Sequence, residues 1–160
     1  MIIDSRTEFA DAATLDTSGA ATKNIGNCAD LGTNTLNTTR DIGNGEPMYL
    51  IGTVDTDITS GGTATLQYQL VSDSQAPPRT DGNQVTHIQT ATVTVPGTAT
   101  AAAKTKAGTV IAIIPIPQGT DYKQYLGVQS VVGTAALTAG KVNWFLTADP
   151  TQWKAYSDFN

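Results

Sequence analysis

The sequence predicts one all-β domain of about eight antiparallel strands with little helix, either a two-sheet sandwich or a jelly roll. Threonine is the first indication. The chain has 27 Thr among 160 residues, and this β-branched side chain, like those of Val and Ile, fits a pleated sheet better than a helix. The second indication is the alternation of short apolar stretches with turn-forming Gly, Pro, Asn and Asp. The third is that no stretch carries the apolar stripe of an amphipathic helix.

The length and net charge of the chain limit the number of domains and the kinds of partner that it can have. A chain of 160 residues fits one domain over residues 1–160, with a short N-terminal arm and an aromatic C-terminal tail. The formal net charge is −5 and the basic residues are scattered, which argues against a nucleic-acid partner. The N-terminal apolar stretch ends after Ile3 and no later stretch reaches membrane-spanning length, so we expect no signal peptide and no membrane partner.

The first half of the chain carries two well-marked strands. Residues 48–54 (MYLIGTV) are an apolar run that ends at Asp55, and residues 63–72 (TATLQYQLVS) alternate as in a half-buried strand. The segment 55–62 between them combines two glycines with short polar residues, which predicts a hairpin connection. Shorter strands are expected near residues 24–29 and 31–36.

A turn-rich segment, residues 73–83 (DSQAPPRTDGN), leads into the second half. Residues 85–95 are then typical of one long strand. Residues 108–116 (GTVIAIIPI) are apolar on both faces, which predicts a central strand that ends at Pro115. The last predicted strands are 124–132 and 141–148, with Val142, Trp144 and Leu146 on one face and with Gly133 and Gly140 flanking the connection.

The candidates for catalysis each have a more ordinary structural interpretation. His87 is the only histidine and lies in a Thr-rich predicted strand, so pairing with neighbouring side chains is favoured over a role as a general base. Cys28 is the only cysteine and has no motif around it, which favours a small, buried or half-buried apolar side chain over a reactive thiol. We therefore expect no enzymatic activity, no catalytic residue and no cofactor.

One segment superficially resembles a calcium loop. Asp55, Asp57, Thr59 and Gly61 stand at alternate positions, as calcium ligands do. The position that should carry the bidentate acid is Leu66, which lies inside the next predicted strand. A structural turn is therefore favoured, and no metal site is predicted.

Both ends of the chain carry apolar side chains beyond the predicted strands. These candidate interface residues, for a dimer or a larger assembly, are Met1, Ile2, Ile3, Trp153, Tyr156 and Phe159. Trp and Tyr are favoured contact residues at interfaces, and an apolar terminal arm can add to a partner's sheet. The alternative, in which the tail packs on its own sandwich, stays open. Asp149 is expected to cap a short turn in front of the tail.

Several segments together resemble a known family. They are residues 1–4 (MIID), 9–12 (FADA), 45–50 (GEPMYL), 125–128 (YLGV), 137–142 (LTAGKV) and 145–156 (FLTADPTQWKAY). These segments resemble the capsid cement proteins of tailed bacteriophages of the Bordetella podophage type. The resemblance spans nearly the whole chain, and the aromatic segment after Asp149 and Pro150 is its most specific part. It implies a jelly-roll fold, homodimers on the outside of an icosahedral head, and no enzymatic activity.

The expected function is therefore that of a structural virion protein. The resemblance implies that the chain is made in the bacterial host cytoplasm, binds the phage major capsid protein and another copy of itself, and cements adjacent capsid proteins on the outer surface of the head. The alternative is a carbohydrate-binding jelly-roll module of a phage surface or tail structure. Glycan sites usually display aromatic side chains on an exposed face, whereas Trp144 lies in phase with the apolar Val142 and Leu146.

Overall fold

The computed structural model describes residues 7–15, 19–32, 42, 45–97 and 101–151. Within these ranges the chain forms nine strands, all paired in antiparallel fashion, and no helix, which confirms the predicted all-β class. The strands are β1 (Glu8–Thr14), β2 (Ala21–Asp30), β3 (Tyr49–Ser60), β4 (Ala64–Asp73), β5 (Val85–Gln89), β6 (Val93–Val95), β7 (Val110–Pro115), β8 (Tyr125–Gly133) and β9 (Leu137–Thr147).

The strands form two sheets with jelly-roll connectivity. Sheet I has the order β1-β9-β3-β7, and sheet II has the order β2-β8-β4-β5, with the short β6 also pairing with β4. Consequently β1 pairs with β9, β2 with β8, β3 with β7 and β4 with β5. These four pairs belong to one long antiparallel ribbon that is folded over so that successive pairs lie in opposite sheets. That arrangement is a jelly roll.

The core lies between the two sheets. Alternate residues of β4 and β9 project into it, as their alternation predicts. They are Leu66, Tyr68, Leu70, Val142, Trp144 and Leu146, each at most 4% exposed. The ring centroids of Tyr68 in sheet II and Trp144 in sheet I are 5.0 Å apart, in a tilted arrangement. This aromatic pair therefore links the two sheets through the middle of the core.

The hairpin prediction for residues 55–62 is wrong. β3 continues through this segment to Ser60, and the turn at Gly61 and Gly62 carries the chain to the opposite sheet instead of back along β3. The polar residues are accommodated because β3 pairs with β9 through several register shifts. The Asp57 carboxylate also accepts the backbone N–H of Ala107 at 2.7 Å. β-branched side chains and sheet pairing outweigh the local turn tendency here.

Residues 85–95 form two strands and not the single one predicted. The break between β5 and β6 is set by Thr90, whose hydroxyl accepts the Tyr68 N–H at 3.0 Å. The Gln67 side-chain amide donates to the Thr90 carbonyl at 2.9 Å. Thr90 therefore holds the chain against β4 by bonds that a regular ladder would not make.

The N-terminal strands are longer and earlier than expected. β2 contains the predicted strand at residues 24–29, whereas β1 has no counterpart in the prediction. Leu31 follows β2 outside any strand, and residues 33–36 of the second expected strand lie outside the described residues. Phe9 is the one large apolar side chain of β1, and the pairing of this strand with β9 comes from the tertiary structure.

The central position predicted for residues 108–116 is also wrong. β7 ends at Pro115 as expected, but it lies at the edge of sheet I, and Ile113 is 44% exposed. The ribbon topology decides this position, because β7 has only β3 beside it. Gly140, predicted to flank the β8–β9 connection, lies inside β9 with φ +148° and packs against Ile58. Glycine suits that backbone conformation, which L side chains rarely adopt.

Candidate contact surfaces and a pocket between the sheets

The six predicted interface residues, Met1, Ile2, Ile3, Trp153, Tyr156 and Phe159, all lie outside the described residues. The structure does place the residues from which both terminal segments start. The Leu146 N–H bonds to the Thr7 carbonyl at 2.8 Å, so the start of the described chain lies beside the end of β9. The first described residue and the end of β9 therefore lie at the same end of sheet I.

The end of the described chain forms the expected capped turn. The Asp149 carboxylate accepts the Thr151 N–H at 3.0 Å and the Thr151 hydroxyl at 2.6 Å. These hydrogen bonds to the charged form lower the pKa of Asp149. The direction of the chain at the start of the C-terminal segment is therefore set by side-chain bonds, as predicted for Asp149.

The outer face of sheet I carries an apolar row that the sequence patterns did not single out. Ile51 pairs with Phe145 on one side and with Ile113 on the other. Its neighbour Leu50 faces the core, so strand alternation puts Ile51 on the opposite face. Ile51 is 0% and Phe145 3% exposed, whereas Ile113 is 44% exposed. We call Ile51, Phe145 and Ile113 the outer row. It lies in the part of sheet I that is nearest the chain termini.

The free edge of β7 beside this row is poorly suited to strand addition. The Ile116 N–H bonds to the Met48 carbonyl at 2.8 Å, so alternation directs the backbone groups of Ile113 and Pro115 to the open edge. Pro115 has no N–H to donate, and the register with β3 shifts between Ala112 and Val110. A proline and a bulge are features that limit edge-to-edge pairing. Contacts at this edge would therefore use side chains.

The outer face of sheet II is covered by the segment that follows β4. Asp73 is fully buried and forms an ion pair with Arg79, with Nε and Oδ2 2.8 Å apart. Asp73 also accepts the backbone N–H groups of Ser74 and Arg79 at 2.7 and 3.0 Å. The Arg79 guanidinium is the largest cause that holds the Asp73 pKa far below its ordinary value. Asp73, the first residue of the turn-rich segment, thus fixes the positions of Ser74 and Arg79 within it.

A buried glutamine fastens the same segment to β8. The Gln129 side chain is 0% exposed, and its amide donates to the Arg79 carbonyl at 2.8 Å and to the Asn24 side chain at 2.9 Å. Asn24 in turn donates to the Pro78 carbonyl at 2.8 Å. Because a buried amide is costly unless it is hydrogen bonded, these contacts fix the segment in one position. Residues 73–83, which the sequence predicted only as a turn-rich segment between two blocks of strands, therefore pack on the outer face of sheet II and are hydrogen bonded to it.

His87 has the contacts of a structural side chain. Its Nε2 lies 2.7 Å from the hydroxyl of Ser72, which is fully buried and also accepts the Lys123 N–H at 3.0 Å. Its ring centroid is 4.5 Å from that of Tyr122. Burial, followed by the nearby Lys123 charge, lowers the pKa of His87, which favours the neutral ring at pH 7. The arrangement ties β5 to β4 and to the segment before β8.

The two other sequence candidates also have structural surroundings. Cys28 is half-buried beside Gly127, and burial raises the pKa of its thiol. Asp55 accepts a hydrogen bond from the Thr56 hydroxyl at 3.0 Å, and Asp57 holds Ala107 as described above. In the described part of the chain, no cluster of three or more His, Cys, Asp or Glu residues could hold a metal ion.

A pocket of about 200 Å³, partly open to solvent, lies between the sheets beside β6 and β7. Its lining includes Ile58, Leu66, Val93 and Ile111, together with Tyr68. Tyr68 is 4% exposed, and its hydroxyl has no hydrogen-bond partner among the described residues. A buried hydroxyl left unpaired costs about 1–3 kcal/mol. Burial also raises the Tyr68 pKa, so this group remains a neutral donor.

Comparison with known families identifies the chain. The family model described as Bbp16 matches residues 9–146. This chain belongs to the Bbp16 family. The family name points to a protein of a Bordetella phage, in agreement with the resemblance in the sequence. No curated protein matches the sequence. Among the described residues, no helix has the length and apolarity to cross a membrane.

Proposed function

We propose that this Bbp16-family chain is a structural protein of the phage virion that binds the outside of the head as a homodimer and cements adjacent major capsid proteins. The observation that carries the proposal is that the described chain starts beside the end of β9, in the part of sheet I that holds the outer row with its exposed Ile113. The two terminal segments with apolar residues, Met1 to Ile3 and Trp153 to Phe159, lie outside the described residues, and their part in the interface is proposed from their sequence.

The rest of the surface suits repeated weak contact. Charged residues make up 14% of the chain, below the roughly 25% of typical domains, so long-range electrostatic steering contributes little. Copies held on a symmetric lattice gain avidity from many modest contacts. A protein that binds the mature shell better than its free subunits stabilises that shell by linkage. We infer that the chain acts by this binding and without catalysis.

The structure offers no particular support for the carbohydrate-binding alternative. Trp144, the one tryptophan in the described ranges, is 0% exposed and packed between the sheets. Its indole is therefore unable to stack on a sugar ring. The two functions remain distinguishable because a glycan array tests the alternative without reference to capsids.

The test of the proposal uses phage heads that lack the protein and purified chain added back to them. We expect the wild-type chain to have a dimer mass in solution and to decorate heads, with occupancy measured by electron microscopy. Trp153→Ala and deletion of residues 152–160 should each lower the dimer fraction or the occupancy. Failure of the wild-type chain to bind heads would overturn the head-binding function. Normal dimers and full occupancy with both variants would overturn the role of the tail.

A matched pair of surface variants tests the position of the interface. Ile113→Thr removes an apolar contact from the outer row, and Val85→Thr makes a similar change at a strand residue of sheet II that is 39% exposed. We expect Ile113→Thr to reduce occupancy or dimerisation and Val85→Thr to leave both unchanged. The opposite result would place the interface on sheet II.

A further inference from the structure

Two side chains on the outer face of sheet I are buried although they point away from the core. Ile51 is 0% and Phe145 3% exposed, and neither belongs to the core cluster between the sheets. We call this pair the buried end of the outer row. Neighbours on a pleated sheet stand beside a side chain and not over it, and Ile113 in the same row is 44% exposed. The buried end therefore lies under a further layer of the chain.

Sheet II shows the same kind of burial together with its cause. Val71 of β4 is 0% exposed and also stands outside the core cluster. Residues 73–83 pack on that face, and a Cβ added to Gly127, the partner of Val71, would lie 3.2 Å from the Pro78 ring. A fully buried side chain on an outer face of this sandwich thus marks a segment that covers it.

The other long connections in the described part of the chain are held away from the buried end of the outer row. Residues 101–109 run beside the second half of β3, where the Val54 carbonyl accepts a backbone N–H at 2.9 Å. Residues 116–124 turn toward sheet II, since Tyr122 joins the core cluster and its ring centroid is 4.5 Å from that of His87. The layer over sheet I is therefore to be sought in the terminal residues.

The C-terminal residues start close enough to form this layer. β9 ends at Thr147, which is two residues and about 7 Å along the strand from Phe145. The described chain continues through the turn capped by Asp149 to Thr151. Nine further residues, 152–160, follow in the sequence, and nine residues can span about 30 Å. We call residues 152–160 the tail.

The N-terminal residues fit this position less well. β1 runs antiparallel to β9, with Glu8 opposite Phe145. Followed back from Glu8 to Thr7, whose carbonyl accepts the Leu146 N–H, the chain advances toward the end of β9 and away from the outer row. A cover formed by the N-terminal residues would have to reverse that direction within six residues.

We propose that the tail packs on the outer face of sheet I of its own chain, where the rings of Trp153, Tyr156 and Phe159 supply the apolar layer over the buried end of the outer row. Aromatic side chains bury roughly 150–250 Å² each, so three of them exceed what two sheet residues need. Ile113 lies beyond this layer and stays exposed. The inference concerns contacts within one chain and does not rest on head binding.

The first test is a measurement on the full-length wild-type chain, labelled at the Ile and Val methyl groups for NMR. We expect nuclear Overhauser contacts between the Ile51 methyl groups and the aromatic rings of the tail. Deletion of residues 152–160 should shift the Ile51 signals and lower the urea midpoint, because apolar surface is uncovered. The signals of Val85 on sheet II should not move. Deletion of residues 2–6 is the matched control and should leave the Ile51 signals in place.

A mixed sample distinguishes the chain's own tail from that of a second copy. Labelled chain lacking the tail is unfolded together with an excess of unlabelled full-length chain, and the two are refolded as a mixture. We expect the Ile51 signals of the labelled chain to stay shifted, because each full-length chain uses its own tail. Their return to the wild-type positions would show that the tail reaches a second copy, which contradicts the proposal.

The wild-type contacts decide the matter even where a deletion variant does not fold. Contacts from the tail rings to Ile51, lost on deletion of the tail, support the proposal. Three results overturn it: no contact between these rings and Ile51, Ile51 signals that deletion of the tail leaves unchanged, or an equal shift on deletion of residues 2–6. None of these results bears on head binding, which is measured by occupancy on phage heads.

Discussion

Replacing Gly52 with Ala tests whether Trp144 is as tightly confined as its surroundings indicate. An added Cβ at residue 52 would lie 2.5, 2.6 and 2.7 Å from the ring carbons Cη2, Cζ3 and Cζ2 of Trp144. Carbon atoms in favourable contact are about 3.5–4.0 Å apart, so the indole or the strand must move by about 1 Å. Trp144 is 0% exposed and packs against Tyr68. It therefore has little space to move into.

The expected cost follows from that geometry. Overpacking a core costs about 1–3 kcal/mol, and a clash with three ring carbons of a confined indole belongs at the upper end. A loss of about 3 kcal/mol in a chain of this length lowers the melting temperature by roughly 6–12 °C. Circular dichroism during heating and urea titration measures both quantities. Gly61→Ala is the control, because its nearest contact would be an ordinary 3.4 Å to the Thr138 methyl group.

A double-mutant cycle makes the test specific to Trp144. Trp144→Phe destabilises the core by itself, but it removes part of the ring that the new methyl group would strike. Gly52→Ala should therefore cost at least about 1 kcal/mol less in the Trp144→Phe background. Strictly additive effects, or a Gly52→Ala variant as stable as Gly61→Ala, would refute the reasoning.

Three further predictions concern buried polar and titratable groups. Asp73→Asn should destabilise the fold at pH 7. The native Asp73 pKa lies below its ordinary 3.8, so the ion pair stabilises fully above pH of about 4 and progressively less below it. Urea titrations should show wild type and variant converging as pH falls from 5 to 2, and a constant difference would contradict this. Tyr68→Phe should raise the free energy of unfolding by about 1 kcal/mol, because it removes an unpaired buried hydroxyl; a loss of stability would show that the hydroxyl is satisfied, for instance by water. Cys28 should react with iodoacetamide at pH 7 several-fold more slowly in the native chain than in urea, because its raised pKa and partial burial reduce the exposed thiolate. Equal rates would contradict that environment.

The buried polar groups of sheet II show why the sequence did not predict how residues 73–83 pack. Asp73 and Arg79 are six residues apart and stand in a segment whose prolines and glycine indicate only turns. The segment that carries them is also held by β8, where the Gln129 amide donates to the Arg79 carbonyl at 2.8 Å. Contacts between residues 50 positions apart leave no local pattern in a sequence.

The candidate contact surface likewise has some features that the sequence shows and others that only the strand pairing sets. The apolar residues at both termini are visible in the sequence, and so is the short turn capped by Asp149. That the start of β1 lies beside the end of β9 depends on the pairing of these two strands. The exposure of Ile113 depends on β7 being an edge strand. Neither fact follows from residue types.

The sequence by itself determined the class of the fold, because the period-two alternation in β4 and β9 and the abundance of Thr are local properties of the backbone and its side chains. It also determined that Val142, Trp144 and Leu146 face the core. Only the tertiary structure decided which strands are central and which lie at an edge, that β3 continues through its acidic residues, and where a pocket remains between the sheets. Those features depend on how a long ribbon folds over on itself, which is set by the sum of distant contacts.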